Sequence, residues 1–216
     1  NQNNNALSGA IMVRVPDLVV ASIDPLTTVT TQQAFNIRWT VRNQGDGAAQ
    51  VGWYDYVYFS TDAILDGGDT NLTYEYRSQA LAVDGSYVVV KSITVPNVAS
   101  GTYYLLVVTD YGNGLYESNQ NNNALSGAIM VRVPDLRITE LVSSRIPGQP
   151  TQFQVQWTVR NQGDGVAQVG WYDYAYLSTD NQLDNGDTNL TYEYHATSLS
   201  AGDSYPVTKT VTVPEG

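Results

Sequence analysis

Residues 35–47 read Phe-Asn-Ile-Arg-Trp-Thr-Val-Arg-Asn-Gln-Gly-Asp-Gly, and the fold class turns on them. Phe35, Ile37, Trp39 and Val41 alternate with Asn36, Arg38, Thr40 and Arg42. A period of two sends one set to a buried face and the other to water, which is the pattern of a strand with one covered side. The NQGDG that closes the stretch predicts a turn, because Gly45 and Gly47 beside Asn and Asp admit the positive φ values that turns use.

The same alternation recurs on both sides. A second strand is expected from Val51 through Trp53, Val57 and Phe59, with Tyr54, Tyr56 and Tyr58 on the other parity. Further runs lie at Leu72 to Tyr76, Tyr87 to Val95, Tyr103 to Thr109 and Ile129 to Val133, each bounded by Gly, Pro, Asn or Asp. No window places apolar residues at i, i+3, i+4 and i+7 over helical length. Roughly seven short strands per copy, separated by turns, predict an all-β chain of two-sheet sandwiches of the Ig-like, fibronectin-III-like kind.

A repeat sets the organisation. Residues 1–18 recur unchanged at 119–136, and Trp39 returns as Trp157, an offset of 157 − 39 = 118 residues. WTVRNQGDG and TNLTYEY return at the same offset, so one repeat is one domain and not a solenoid unit. Pro16 and Pro134 mark the junctions. The expected frame is residues 1–15 as the final strand of a preceding repeat, 16–133 as a complete sandwich, and 134–216 as a second sandwich cut before its last two strands. Strands from neighbouring repeats or subunits are expected to complete it, since open sheet edges invite strand addition. Almost nothing separates Val133 from Leu136, which argues for a stiff rod or fibre over a flexible coil. The stretch Val19 to Ala34 shares essentially nothing with Arg137 to Gln152, a divergence that an edge strand tolerates.

Composition excludes several functions. A net charge of −11 is wrong for phosphate binding, so no nucleic acid is expected as a partner. There is no cysteine, which removes disulfides, Cys-based zinc sites and thiol nucleophiles together. No apolar run reaches about 18 residues, so no membrane insertion is expected of this segment. His195 stands where the other copy has Arg77 and belongs to no repeated constellation, which argues against a His-based enzyme.

Carboxylates supply the candidate sites. Asp62, Asp66 and Asp69 in STDAILDGGD recur as Asp180, Asp184 and Asp187 in STDNQLDNGD. Spaced carboxylates on a Gly-bearing loop offer the hard oxygens that Ca²⁺ takes, although the spacing is not that of an EF-hand and the same residues build turns. Asp55 and Asp173 share the parity of Trp53 and Trp171, facing the core. Such a carboxylate needs hydrogen bonds or a ligand; a bulge or loop amides would serve, and ligation together with the acidic loop is the other reading. In DYGNGLYESNQNNN, the side chains of Asp110, Asn113, Glu117 and Asn119 are expected to hold a loop, with a second cation site as the alternative. Among the 16 tyrosines, Tyr56, Tyr58, Tyr74 and Tyr76 are expected on an outer sheet face, where they pack across strands or stack on sugars.

The segments PDL, WTVRNQGDGAAQVGWYDYVYFSTDAILDGGD and GTYYLLVVTDYGNGLYESNQNNN together resemble the CARDB domain, the cell-adhesion-related domain of bacteria. The resemblance implies a seven-stranded Ig-like sandwich, found in large secreted or surface-attached bacterial and archaeal proteins, with no catalytic residues. It implies a structural or adhesive module whose partners are neighbouring repeats, other subunits, or a surface glycan or protein. A carbohydrate-binding module is the alternative, and no cofactor beyond Ca²⁺ is implied by either.

Overall fold

A computed structural model describes residues 8–25, 28–50 and 52–214 of the chain. These residues form strands and no helix. In order the strands are β1 (Leu18–Ile23), β2 (Thr28–Thr30), β3 (Ala34–Asn43), β4 (Trp53–Ser60), β5 (Thr70–Arg77), β6 (Ser86–Thr94), β7 (Gly101–Val108), β8 (Ala124–Arg132), β9 (Leu136–Arg145), β10 (Gln152–Asn161), β11 (Trp171–Leu177), β12 (Thr188–His195) and β13 (Ser204–Thr212). The chain divides into two units. The first takes Asn1–Thr27, Gln32–Val95 and Thr102–Met130; the second takes Thr28–Thr31, Pro96–Gly101 and Val131–Gly216. The expected strand position of Val51 lies outside the described residues.

The strand that the alternation marked most clearly is the centre of its sheet. In the first unit β3 pairs antiparallel with both β1 and β6, with Trp39 opposite Ile23 and Val89. In the second sheet, of order β2-β8-β7-β4-β5, β4 pairs with β5 and β7. Ile37, Trp39 and Val41 of β3 are buried, as are Trp53 and Val57 of β4 and Leu105 and Val107 of β7. The apolar parities of the two sheets therefore supply one core between them. The divergent first strand is β1, an edge of its sheet, where sequence change costs little.

Context decides whether one sequence becomes a strand. ALSGAIMVR at 124–132 forms β8 beside β7, whereas Ser8–Val15, which repeats residues 126–133, forms no strand and leaves Ile11, Met12 and Val13 exposed. The expectation of a final strand at 1–15 is thus corrected for the described residues 8–15. A strand needs a partner ladder, and β propensity alone does not hold one. Residues 1–7 lie outside the described residues.

The second unit repeats the first sheet as β13-β10-β9, while among the described residues β11 pairs only with β12. Its core of Val155, Trp157, Val159, Val207 and Val211 is smaller. The consequence is plain in matching positions: Tyr58 and Phe59 are 9% and 5% exposed, but Tyr176 and Leu177 are 42% and 39% exposed. In the first unit β7 pairs with Tyr58 and Phe59 through Leu106 and Leu105, and β11 has no such neighbour among the described residues.

A buried carboxylate ties the two sheets of the first unit. Asp55, on β4, is 1% exposed and accepts from Trp39 Nε1 on β3 at 3.0 Å, from the Tyr87 hydroxyl on β6 at 2.8 Å and from Thr109 Oγ1 after β7 at 2.8 Å. The Trp53 indole in turn donates to the Tyr87 hydroxyl at 3.1 Å. Burial still pushes the Asp55 carboxyl above its ordinary 3.8, with the bonds from Trp39, Thr109 and Tyr87 opposing that rise. The expected bulge or loop amides are not what satisfies this group. The register shift in β4 falls at Val57 and Tyr58, and the donors are side chains.

Two outcomes are expected. Asp55→Ala leaves an indole N–H and two hydroxyls buried without an acceptor, and urea denaturation should show a loss on the order of 3 kcal/mol or more. Because the folded-state pKa of Asp55 is raised, its contribution is complete below 3.8 and declines as pH rises through the folded value, so the stability difference between wild type and Asp55→Asn should shrink over that interval. Separately, a Cβ at Gly45 would meet the backbone of Val15, Pro16 and Asp17 at 2.5 Å, while one at Gly67 would meet nothing within 4 Å. Gly45→Ala should therefore lower the melting point, by a loss of about 1–3 kcal/mol, and Gly67→Ala should leave it nearly unchanged.

Candidate functional site

The turn NQGDG does more than reverse the chain. Asn43, at the end of β3 and fully buried, donates from Nδ2 to the carbonyls of Gly47 at 2.8 Å, Leu81 and Ala82, both at 3.2 Å. Its Oδ1 accepts from the backbone N–H of Asp17 and of Gly45, both at 3.1 Å. Asp46 Oδ1 accepts from Val15 N at 2.8 Å, and Gly47 N donates to Val15 O at 3.0 Å. The turn thus grips the segment Val15–Asp17, and the glycines let the two backbones touch.

The second unit builds the same grip. Asn161 donates to Gly165 O and Leu199 O and accepts from Asp135 N and Gly163 N. Asp164 accepts from Val133 N at 2.9 Å, from Arg132 Nη1 at 3.2 Å and from the Ser100 hydroxyl at 2.6 Å. The Ser100 and Val133 bonds hold the Asp164 carboxyl below its usual range. A Cβ at Gly163 would collide with the Val133 and Asp135 backbone. Sequence reading saw these loops only as turns; the signal it passed over was the buried-face parity of Asn43 and Asn161, which end an apolar alternation with an amide.

The acidic loop closes on itself. Asp62 Oδ1 accepts from Ile64 N at 2.8 Å, Asp66 Oδ1 from Gly68 N at 2.7 Å, and Asp69 Oδ2 from Asp66 N at 2.9 Å. Asp180, Asp184 and Asp187 make the same bonds to Gln182, Gly186 and Asp184 N. These are side-chain-to-backbone turns, which account for the residue types without a ligand. Asp55 is not brought to them: its carboxylate points into the core. Asp173 does likewise, accepting from Trp157 Nε1 at 3.0 Å and from the Tyr205 hydroxyl at 2.8 Å, with His195 Nε2 at 3.0 Å. His195 stands where the first unit has Arg77, whose Nε donates to Gln79 O, so its contact with Asp173 is particular to the second unit. Among the described residues no three His, Cys, Asp or Glu side chains are placed to hold one metal ion.

The tyrosines form a tiled face in each unit. Tyr54 contacts Tyr56, Tyr74 and Tyr76 with ring centroids 6.1, 5.8 and 4.8 Å away, and Tyr56 meets Tyr111 at 4.5 Å. Tyr74 and Tyr76 are exposed as expected, whereas Tyr58 is buried beside Tyr56 and Tyr111. Tyr172, Tyr174, Tyr192 and Tyr194 repeat the pattern. Cross-strand ring contacts of this kind stabilise a sheet on their own.

The segment after β7 is the most buried polar region. Asp110 accepts from Gly114 N and Leu115 N, both at 3.0 Å. Glu117 Oε1 accepts from Leu18 N at 2.6 Å, and its Oε2 takes a bond from Asn123 Nδ2. Burial pushes both carboxyls up.

Comparison with known proteins bears on all of this. The CARDB domain of a Pyrococcus furiosus protein, crystallised in complex with di-metal ions, is similar to 57% of this chain and 98% of its own, at 21% identity and a TM-score of 0.44. A solution structure of residues 272–376 of a proposed cell surface protein from Methanosarcina acetivorans is similar to 54% of this chain and 92% of its own, at 21% identity and a TM-score of 0.42. No curated protein matches the chain. No helix among the described residues is long and apolar enough to cross a membrane. The family model for CARDB matches residues 15–127, just over half of the chain, and spans β1 to the start of β8 with the first buried carboxylate and the first grip on Val15–Asp17; the chain belongs to the CARDB family.

Proposed function

We propose that this chain is a non-catalytic structural or adhesive module of a secreted or cell-surface protein, and that its repeats join through gripped, hinge-free junctions. The observation that carries this reading is the hold of Asn161, Gly163 and Asp164 on Arg132–Asp135, matched by that of Asn43, Gly45 and Asp46 on Val15–Asp17. A linker whose N–H groups are bonded and whose backbone lies against glycine has few conformations left, unlike a Gly/Ser coil. Such junctions suit a stiff rod or fibre. The open edge of β11 and the apolar cavity of about 530 Å³ lined by Phe153, Val155, Trp157 and Leu190 suit completion by strands from neighbouring repeats or subunits. Carbohydrate binding is the second reading, favoured by the exposed tyrosine face of β4 and β5 and its copy on β11 and β12.

Small-angle scattering of the chain tests the first reading. The wild type should give the pair-distance distribution of one extended particle, and Asp164→Ala should broaden it. Lowering the pH should do the same, because Asp164 is held below its ordinary 3.8 and its bonds are lost as pH falls through that lowered value. A broad distribution already present in the wild type at neutral pH would remove the reading. For the second reading, Tyr76→Ala should abolish binding on a glycan array, and an array on which the wild type binds nothing would dispose of it.

A further inference from the structure

The loop between β7 and β8 combines buried carboxylates with amide oxygens that no protein donor reaches. Asp110, Glu117 and Asn123 are 2%, 4% and 6% exposed. Gln120 Oε1, Asn122 Oδ1 and Asn123 Oδ1 are all buried without a hydrogen-bond partner. Their orientation is not arbitrary. Gln120 Nε2 donates to Leu115 O at 2.7 Å, Asn122 Nδ2 donates to Asp17 Oδ1 at 2.9 Å, and Asn123 Nδ2 donates to Glu117. Each of those partners is an acceptor only, so each amide must keep its NH₂ there and turn its oxygen the other way.

Gln120 and Asn123 line one cavity of about 300 Å³ together with Thr109, Asp110 and Tyr111. Glu117 does not line it. It sits on the NH₂ side of Asn123, which sends the Asn123 oxygen away from it. The side chains bordering the cavity thus include a carboxylate and two amides whose buried oxygens lack a protein donor, beside a second buried carboxylate. Among the described residues neither Asp110 nor Glu117 has a Lys, Arg or His partner. Buried anions without a counter-charge are costly, and so are buried acceptors without donors. A single divalent cation answers both, and Ca²⁺ is the one that takes mixed carboxylate and amide oxygens in flexible geometry.

We propose that this loop binds one Ca²⁺ through the Asp110 carboxylate, Gln120 Oε1 and Asn123 Oδ1, with Glu117 as the positioning residue that orients Asn123. The site is distinct from the acidic loop at Asp62, Asp66 and Asp69, which contributes no buried oxygen without a partner. Few charged ligands place its affinity in the weak class of extracellular modules, on the order of 10⁻⁴–10⁻³ M. Tyr111, on the cavity wall, supplies an antenna for a lanthanide probe.

The test uses the full chain. Ten-millimolar Ca²⁺ should raise the melting point by a few °C over a chelated sample, as binding to the folded state requires. Asp110→Asn, which keeps an oxygen for a backbone bond, and Gln120→Ala should each weaken binding at least tenfold. The triple variant Asp62→Asn, Asp66→Asn, Asp69→Asn should bind as the wild type does. Tb³⁺ luminescence excited through tyrosine should saturate at one ion per chain, be displaced by Ca²⁺ and fall sharply in Tyr111→Phe, a readout that stands even if a ligand variant fails to fold. The proposal is overturned if the wild type shows neither a melting shift nor displaceable Tb³⁺ luminescence, which would leave these oxygens to water. It is equally overturned if Asp110→Asn and Gln120→Ala respond normally, or if the triple variant loses the response instead.

Discussion

Each copy of this fold is organised around a carboxylate placed where an apolar side chain would ordinarily go. Asp55 stands on one sheet and takes its bonds from Trp39 and Tyr87 of the other, with Thr109 closing the set from its own side. Desolvating a carboxylate is unfavourable, so the arrangement persists only because three donors converge on it. The gain is specificity of packing: an indole and a phenol that must each reach one acceptor fix the relative placement of two sheets more narrowly than apolar contact does. Asp173 repeats the device with Trp157 and Tyr205, and has His195 Nε2 beside it as well. The indole and phenol bonds to the carboxylate are the pair seen in both copies.

The second constraint is at the ends of the copies. An amide that caps the central strand from inside the core holds both its own turn and the entering chain. Glycines at that turn are required by proximity of backbone and not by turn conformation alone.

Much of the architecture was legible from periodicity. The alternation through Phe35, Ile37, Trp39 and Val41 located β3, and matching runs located β4 to β8, because a half-buried strand writes its two faces into the sequence. Three things were not legible. ALSGAIMVR forms a strand in one place, while the copy of its latter part at residues 8–14 forms none, since pairing depends on a neighbour that a local pattern does not contain. Tyr58 and Tyr74 share a chemical type and a face, yet one is buried, because Tyr111 from a distant loop covers it. Asp55 was visible as an anomaly of parity, but its donors lie 16 to 54 residues away, and spacing along the chain carries no trace of them.

The carboxylate node is tested most directly through the indole proton of Trp39. Amide and indole hydrogen exchange followed by NMR should show the Trp39 Nε1–H exchanging only through global unfolding, as slowly as the most protected amides of β3. An indole proton that exchanges orders of magnitude faster than those amides would contradict the account, because it would mean that Trp39 and Asp55 are not joined in the folded protein.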